Sequence, residues 1–414
     1  MRQNKSIVAA LDIGSSKTCC VIAAQQDRAL EIVGLGTTVT QGYRRGALVD
    51  LDKTVAGIQV AIEEAETMAG VEISSVYAGV GGCGAKGFNS HGVVGIKGRE
   101  ITRTDIGRVI EAATAVAMPP DREVLHILVN EYQVDDQGEI RDPVGICGVR
   151  LEARVHLVTT LASAAQNVIR CTNQCGLKVE DLVLNPMASA EAVLGLDERK
   201  LGVALVDIGG GTSDLVIYVN GQVVHTTSVP VGGANISNDI AVGLRTPTAE
   251  ADRLKELFGL ASSSLVHKDE TVEVPSVGGR SPRMISRKIL CDIIEPRLKE
   301  LLQMIHQELV ASGYEGELNS GVVLTGGAAL MEGFPEMAEQ IFGCPVRRAY
   351  PSVGGGLSDL VHSPVYSTVL GLLVHDHAQP GISAGNRTRS RERNTEGMYF
   401  RMRNRMSGFF KEFF

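Results

Sequence analysis

Val203-Ala-Leu-Val-Asp207-Ile-Gly-Gly-Gly211-Thr212-Ser-Asp214 and, nearer the start, Val8-Ala-Ala-Leu-Asp12-Ile-Gly14-Ser-Ser-Lys17-Thr18 are two versions of one device. Each is an apolar run ending in Asp, then a turn of small residues, then a second apolar run (Cys19 to Ala24; Leu215 to Val219). Small residues let backbone N–H groups approach an anion closely, and an Asp beside such a turn can hold a hydrated Mg²⁺. One copy would describe any tight β-hairpin. Two copies in phase with their flanking strands describe a clamp that grips one polyphosphate from both sides.

The repetition continues outward. Val76-Tyr-Ala-Gly-Val-Gly-Gly82 and Val322-Val-Leu-Thr-Gly326-Gly327-Ala-Ala-Leu330 both read as a strand running into a glycine turn, one in each half. Strands alternating with helices imply mixed sheets covered by helices, with the ligand in the cleft between the halves. The 414 residues suffice for two core-bearing lobes, and 44% hydrophobic with 21% charged residues is a globular composition. Each half carries an insertion. In the first, about Cys83 to Thr160, a helix is expected over Asp105 to Ala117 with Thr104 as N-cap, then strands near Val124–Val134 and Val149–Val158. In the second, about Ala234 to Met304, two helical stretches surround a polar Ser/Gly-rich segment, and Pro296 is expected to kink or break the amphipathic stretch Ile289–Ile305.

The eight cysteines (19, 20, 83, 147, 171, 175, 291 and 344) show no paired zinc spacing and read as buried, reduced thiols. Met1 to Ser6 is polar and no apolar run reaches the ~18 residues that span a bilayer, so a cytoplasmic protein is expected. Beyond the apolar stretch Val365–Val374 the composition turns polar, and 376–397 reads as a flexible linker. From Arg387 to Phe414 eight basic residues oppose three acidic ones, although the chain as a whole carries −8. On a helix turning about 100° per residue, Met398, Phe409, Met402, Phe413, Met406, Tyr399 and Phe410 fall in that order within an arc of about 120°. Arg401, Arg405 and Lys411 lie opposite. An apolar arc with a basic reverse face on a leash fits a helix lying in an anionic membrane surface. Each buried Phe or Met would contribute ~1.5–3 kcal/mol, and polymerisation would multiply weak single attachments.

The two Asp-Ile-Gly turns, Leu324-Thr-Gly-Gly327 and the helical Ala251-Asp-Arg-Leu-Lys255 resemble the actin-like ATPases. Within them the chain resembles the FtsA family of bacterial cell-division proteins. The matching segments are Pro143-Val-Gly-Ile-Cys-Gly-Val-Arg-Leu-Glu-Ala-Arg-Val-His-Leu-Val-Thr159, Lys268-Asp-Glu-Thr-Val-Glu-Val-Pro-Ser-Val-Gly-Gly-Arg280, Ile294-Glu-Pro-Arg297 and the amphipathic C-terminus. The resemblance implies an α/β, duplicated actin-like fold of two lobes with mixed sheets flanked by helices. Residues 1–82 with 161–198 would form one lobe and 199–233 with 305–375 the other. Residues 83–160 and 234–304 would be the inserted subdomains, and 398–414 the membrane helix. It also implies ATP with Mg²⁺ in the cleft, self-assembly into filaments, and a tether for the FtsZ C-terminal tail at the cytoplasmic face of the inner membrane, where other division proteins also bind; no nucleic-acid partner is implied.

By motif position Asp12, Gly14, Ser15, Ser16 and Lys17 would form the first phosphate turn, and Asp207, Gly209, Gly210, Gly211 and Thr212 the second. Asp12 and Asp207 would hold Mg²⁺ through water. Gly326 and Gly327 would approach ribose and base, with Asp252 and Lys255 beside them. Asn185 falls where hydrolysing relatives carry a water-positioning Glu or Gln; it is shorter and no base, so slow turnover is expected. Arg287, Lys288 and Arg297 would meet the acidic FtsZ tail. Three rivals share the clamp. A small-molecule kinase would need an acceptor pocket with a base and no amphipathic tail. A heat-shock chaperone would need a peptide-binding domain where only about forty residues remain. A pilus-type adaptor is nearer, but the terminal helix and Val272-Glu-Val-Pro-Ser-Val-Gly-Gly279 argue against it.

Overall fold

The computed structural model describes residues 6–26, 29–82, 84–267, 269–353 and 355–378. The chain opens with strands β1 (Ser6–Ile13), β2 (Lys17–Gln26) and β3 (Ala29–Val39), a small hairpin of β4 (Tyr43–Arg44) and β5 (Ala47–Leu48), helix α1 (Leu51–Ala69) and β6 (Ser75–Val80). The first insertion follows: β7 (Lys86–Glu100), α2 (Arg103–Thr114), β8 (Arg122–Val134), β9 (Gln137–Ile140) and β10 (Cys147–Leu161). Helix α3 (Ala162–Gln174), β11 (Lys178–Leu184), α4 (Asn185–Val193) and α5 (Leu196–Leu201) complete the first half. The second half runs β12 (Val203–Ile208), β13 (Ser213–Val219), β14 (Gln222–Val229), α6 (Gly233–Leu244), α7 (Thr248–Phe258), β15 (Thr271–Val274), β16 (Arg283–Ser286) and α8 (Arg287–Ser312). It ends with β17 (Val322–Thr325), α9 (Phe334–Phe342), β18 (Val346–Arg348), β19 (Gly355–Gly356), α10 (Ser358–Val361) and α11 (Ser367–Ala378).

The repeat read from the sequence is a repeat of topology. In the first half the strand order is β11-β6-β1-β2-β3, and in the second β18-β17-β12-β13-β14. In both, the first three strands are antiparallel neighbours and the next two join as parallel strands. Helices α4 and α11 lie between the two sheets, where Ala10, Val21, Leu184, Ala188, Leu205, Val216, Leu370 and Leu372 share one core. The outer face of the first sheet is covered by α1 and α3 through Leu11, Ile22, Ile58 and Val168. Helices α6, α8 and α9 cover the second through Val206, Ile240, Ile294, Leu298 and Phe334. Strand β12 is buried on both faces, which explains its unbroken apolar reading.

The first insertion is not a detached unit. Its strands β7-β10-β8-β9 continue the second sheet, with Lys86 opposite Thr227 of β14. Arg122 fastens its two ends by donating to the Gly84 carbonyl at 2.6 Å and to Thr159 Oγ1 at 2.7 Å. Four expectations need correction. Helix α2 begins one residue pair earlier than expected and ends at Thr114, because its N-cap is Thr102, not Thr104. Asp105 then sits at the third helical position and accepts from both the Thr102 amide (3.0 Å) and hydroxyl (2.6 Å), a reciprocal cap that Arg99 reinforces at 2.8 Å. Helix α8 runs unbroken through Pro296. The hydrogen bond that Pro296 cannot make belongs to the Asp292 carbonyl, and both residues are exposed, so the loss falls on the solvent side while the buried stripe Leu290, Ile294, Leu298 and Leu302 stays continuous. The polar segment of the second insertion is a β15–β16 hairpin between α7 and α8, with two helices before it and one after. Cysteines 19, 20, 171 and 291 are buried free thiols as expected, but Cys147 is exposed.

Two buried histidines join the first insertion to its neighbours. His126 Nε2 accepts from the Leu184 amide at 3.0 Å, so the neutral ring carries its proton on Nδ1. His156 bridges Asn89 (2.7 Å) and Thr226 of β14 (3.1 Å). Burial pushes His126 down to about 3 and His156 down to about 4. Between those values and the ordinary ~6.5 the unfolded chain binds protons that the native state refuses, so this contribution to stability falls as pH falls. Buried Asp12 and Asp214, pushed up to about 6 and about 7, act with the opposite sign. The comparison of wild type with His126→Gln isolates one histidine. From pH 6.5 to pH 4 the wild type should lose about 3 kcal/mol relative to the variant, measured by urea unfolding at each pH; a constant difference would contradict a neutral buried ring.

Candidate functional site

Strand β1 pairs Asp12 with Cys19, and β12 pairs Asp207 with Asp214, each Asp one residue before its strand ends. The turns close identically: the Gly14 amide donates to the Lys17 carbonyl at 2.9 Å, and the Gly209 amide to the Thr212 carbonyl at 2.9 Å. The two turns face each other in contact. A Cβ added to Gly210 would lie 1.9 Å from Ser16 Oγ, and one on Gly211 would lie 2.5 Å from Ser15 Oγ and 2.8 Å from the Arg45 backbone nitrogen. Only glycine allows this approach. The second turn is also braced from behind, since its Gly209 and Gly210 carbonyls accept from the Gly233 and Ala234 amides at the start of α6 (2.9 and 2.8 Å).

The charges converge on the same place. Asp12 and Asp207 are 7% and 8% exposed. Burial raises the Asp12 carboxyl to about 6, opposed by Lys17 and reinforced by Asp207. Asp207 is raised by burial too, although its Oδ2 accepts from Ser189 Oγ at 2.6 Å and Thr368 Oγ1 at 3.3 Å. Asp214, which pairs with Asp207 across the second hairpin, is raised by burial to about 7. Against these carboxylates stands Lys17, whose Nζ is buried without a hydrogen-bond partner. A phosphate would supply that missing acceptor, and a water-held cation would relieve the carboxylates. The donor set therefore fits Mg²⁺ with a polyphosphate, although no cluster of three metal-binding side chains occurs among the described residues.

The remaining sequence candidates divide. Gly326, at φ 84°, approaches so closely that a Cβ there would lie 2.5 Å from Asp207 Oδ1 and from the Ile208 carbonyl oxygen. Gly327 follows it. Lys255 reaches the start of α6, donating to Asp252 Oδ1 (2.6 Å), Ser237 Oγ (2.8 Å) and the Gly233 carbonyl (3.3 Å). Asn185 opens α4 against the glycines that end β6, its Oδ1 2.4 Å from where a Gly79 Cβ would stand, and that buried Oδ1 has no partner. Arg287 is engaged by Glu270 at 2.7 Å and by the Phe258 carbonyl at 2.8 Å. Arg297 is engaged by Asp239 and Glu300. Lys288 is exposed. Met398, Tyr399, Met402, Met406, Phe409, Phe410 and Phe413 lie outside the described residues. Among the described residues no helix is long and apolar enough to cross a membrane. Sequence reasoning missed Ser189, Thr368 and Ser237, helix residues that no local motif marks; Ser189 and Thr368 reach Asp207, and Ser237 reaches Asp252 and Lys255.

Comparison with known proteins agrees with this architecture. The family model described as cell division protein FtsA matches residues 204–371, and the one described as the SHS2 domain inserted in FtsA matches residues 82–159. The cell division protein FtsA of Pseudomonas aeruginosa is 46% identical over 374 residues, 90% of each chain. Among solved structures, the PilM–PilN type IV pilus biogenesis complex aligns with a TM-score of 0.64 at 15% identity, over 90% of this chain and 99% of that one. MreB5 of Spiroplasma citri bound to ADP aligns at 0.54 and 12%, over 91% and 97%. The fold is that of the actin-like proteins, with an SHS2 domain inserted in its first half. Within that class the chain belongs to the FtsA family of cell division proteins.

Proposed function

We propose that the protein binds ATP with Mg²⁺ between its two facing turns, assembles with copies of itself, and tethers FtsZ to the cytoplasmic face of the inner membrane at the division site through its C-terminal helix. The observation that carries the nucleotide reading is the contact of two equivalent hairpin turns beside a buried ammonium, that of Lys17, which has no hydrogen-bond partner. Asp12 and Asp207 would hold the cation through water, and Lys17 with the turn amides would hold the phosphates. Gly326 and Gly327 leave room for ribose and base, and Lys255 with Asp252 lies beside them. With Asn185 in place of a stronger water-orienting group, ATP serves chiefly as a conformational ligand and turnover is slow. Residues 1–82 with 161–198, and 199–233 with 305–375, act as the two lobes of the clamp. The FtsZ tail, being acidic, would meet the second insertion, where Lys288 is free to approach it and Arg287 and Arg297 would have to exchange their present carboxylates.

The test is co-sedimentation with vesicles containing anionic lipid, comparing the full chain with a version ending at Gly397. The full chain should pellet, retain FtsZ in the pellet, and pellet more completely with ATP, whereas the shortened chain should remain in the supernatant with its FtsZ. Pelleting of both alike would remove the membrane role of residues 398–414.

A further inference from the structure

Lys17 is held by an aromatic ring where an anion would be expected. Its Nζ lies 4.2 Å from the centroid of the Tyr366 ring. The charge of Lys17 acts on both Asp12 and Asp207, yet its Nζ hydrogen-bonds to neither. Tyr366 is itself fixed from several directions. Its amide donates to the Ser363 carbonyl at 3.0 Å, the next residue, Ser367, shares a 2.7 Å hydrogen bond with Thr325 of β17, and Thr368 donates to Asp207.

An ammonium buried beside two carboxylates is drawn strongly towards them, because attraction grows as the surroundings dry. Once paired it would be spent, and the clamp would lose its cation for phosphate. A ring face attracts an ammonium without neutralising it or occupying its N–H donors in a fixed direction. We propose that Tyr366 is a positioning residue of the phosphate site: its ring keeps Lys17 off Asp12 and Asp207 and available to an incoming phosphate. This rests on the nucleotide reading above.

The test measures binding of Mg²⁺·ATP and of adenosine, which carries no phosphate, to the full chain by calorimetry. Tyr366→Phe and Tyr366→Trp keep a ring face and should bind ATP within about threefold of wild type, while Tyr366→Leu should weaken it about tenfold. Adenosine affinity should be unchanged in all three. The chain contains no tryptophan, so Tyr366→Trp also supplies a single emission signal, expected to shift as ATP draws Lys17 from the ring. Equal ATP affinity in Tyr366→Leu, parallel loss of ATP and adenosine, or a silent tryptophan on saturation with ATP would overturn the proposal. Failure of the wild type to bind ATP would instead overturn the nucleotide reading on which it stands.

Discussion

Gly211→Val should lower the affinity for Mg²⁺·ATP by about a hundredfold or more, equivalent to ~2.7 kcal/mol, while leaving both sheets assembled. Gly211 is the point at which the second turn meets the first half of the chain. The Arg45 backbone nitrogen and Cα both stand 2.8 Å from where its Cβ would go, and backbone atoms cannot rotate away as the Ser15 hydroxyl can. A branched side chain there must push the two turns apart. On the proposed reading, a triphosphate gripped from both sides would then be gripped from one, because the two turns no longer share a target when the gap widens. The strands on either side keep their register, since Ile208 opposite Ser213 and Asp207 opposite Asp214 lie outside the clash. The expected cost in stability is therefore only about 1–2 kcal/mol. Calorimetric titration with ATP and a thermal melt of the same sample separate the two effects. A variant that binds ATP as the wild type does would show that the turns do not act together.

Gly371→Val should do the reverse, attacking the fold and only through it the site. Helix α11 packs on α4 between the two sheets, and at Gly371 the helices are nearly in backbone contact: a Cβ would lie 1.7 Å from the Ala188 carbonyl oxygen and 2.3 Å from its carbon. Nothing at that contact is the far end of a flexible side chain, so one helix has to move. Moving α11 uncovers Leu370, Leu372 and Leu373 and draws Thr368 away from Asp207. Overpacking of this kind with lost core contacts costs roughly 3 kcal/mol or more. Urea unfolding should show an earlier midpoint, and Gly371→Ala should fall between the variant and the wild type. An unchanged midpoint would mean that the α4–α11 contact is looser than described.

The halves of the fold were legible in the sequence because each Asp-Ile-Gly turn announces itself locally. An apolar strand, Asp, small residues and a second strand can be read in a dozen letters, and finding the pattern twice gives the topology. What the sequence hid lies in contacts between distant segments. Nothing in the stretch around Tyr366 marks it as the partner of Lys17, and Ser189 and Thr368 look like ordinary helix residues until α4 and α11 bring both to Asp207. The helix errors have local causes of a different kind. Two threonines, Thr102 and Thr104, could each have capped α2, and the choice was made by the reach of Asp105 to the first. Pro296 carries the usual signature of a break, which the exposure of its side of α8 and the continuous apolar face opposite together override. Arg287 looked like a free cation because its carboxylate partner, Glu270, lies outside its helix; Arg297 pairs with Asp239 of α6 and also with Glu300, one turn on in α8, a spacing the sequence does show.

The most direct test of the central claim, that two equivalent turns close around one polyphosphate, is a crystal structure of the full chain grown with ATP and Mg²⁺. The expected result places the phosphates between Gly14–Lys17 and Gly209–Thr212, with Lys17 Nζ on a phosphate oxygen and the adenosine end against Gly326 and Gly327. Density for ATP at another site, or a groove between the turns holding only solvent at saturating nucleotide, would contradict it.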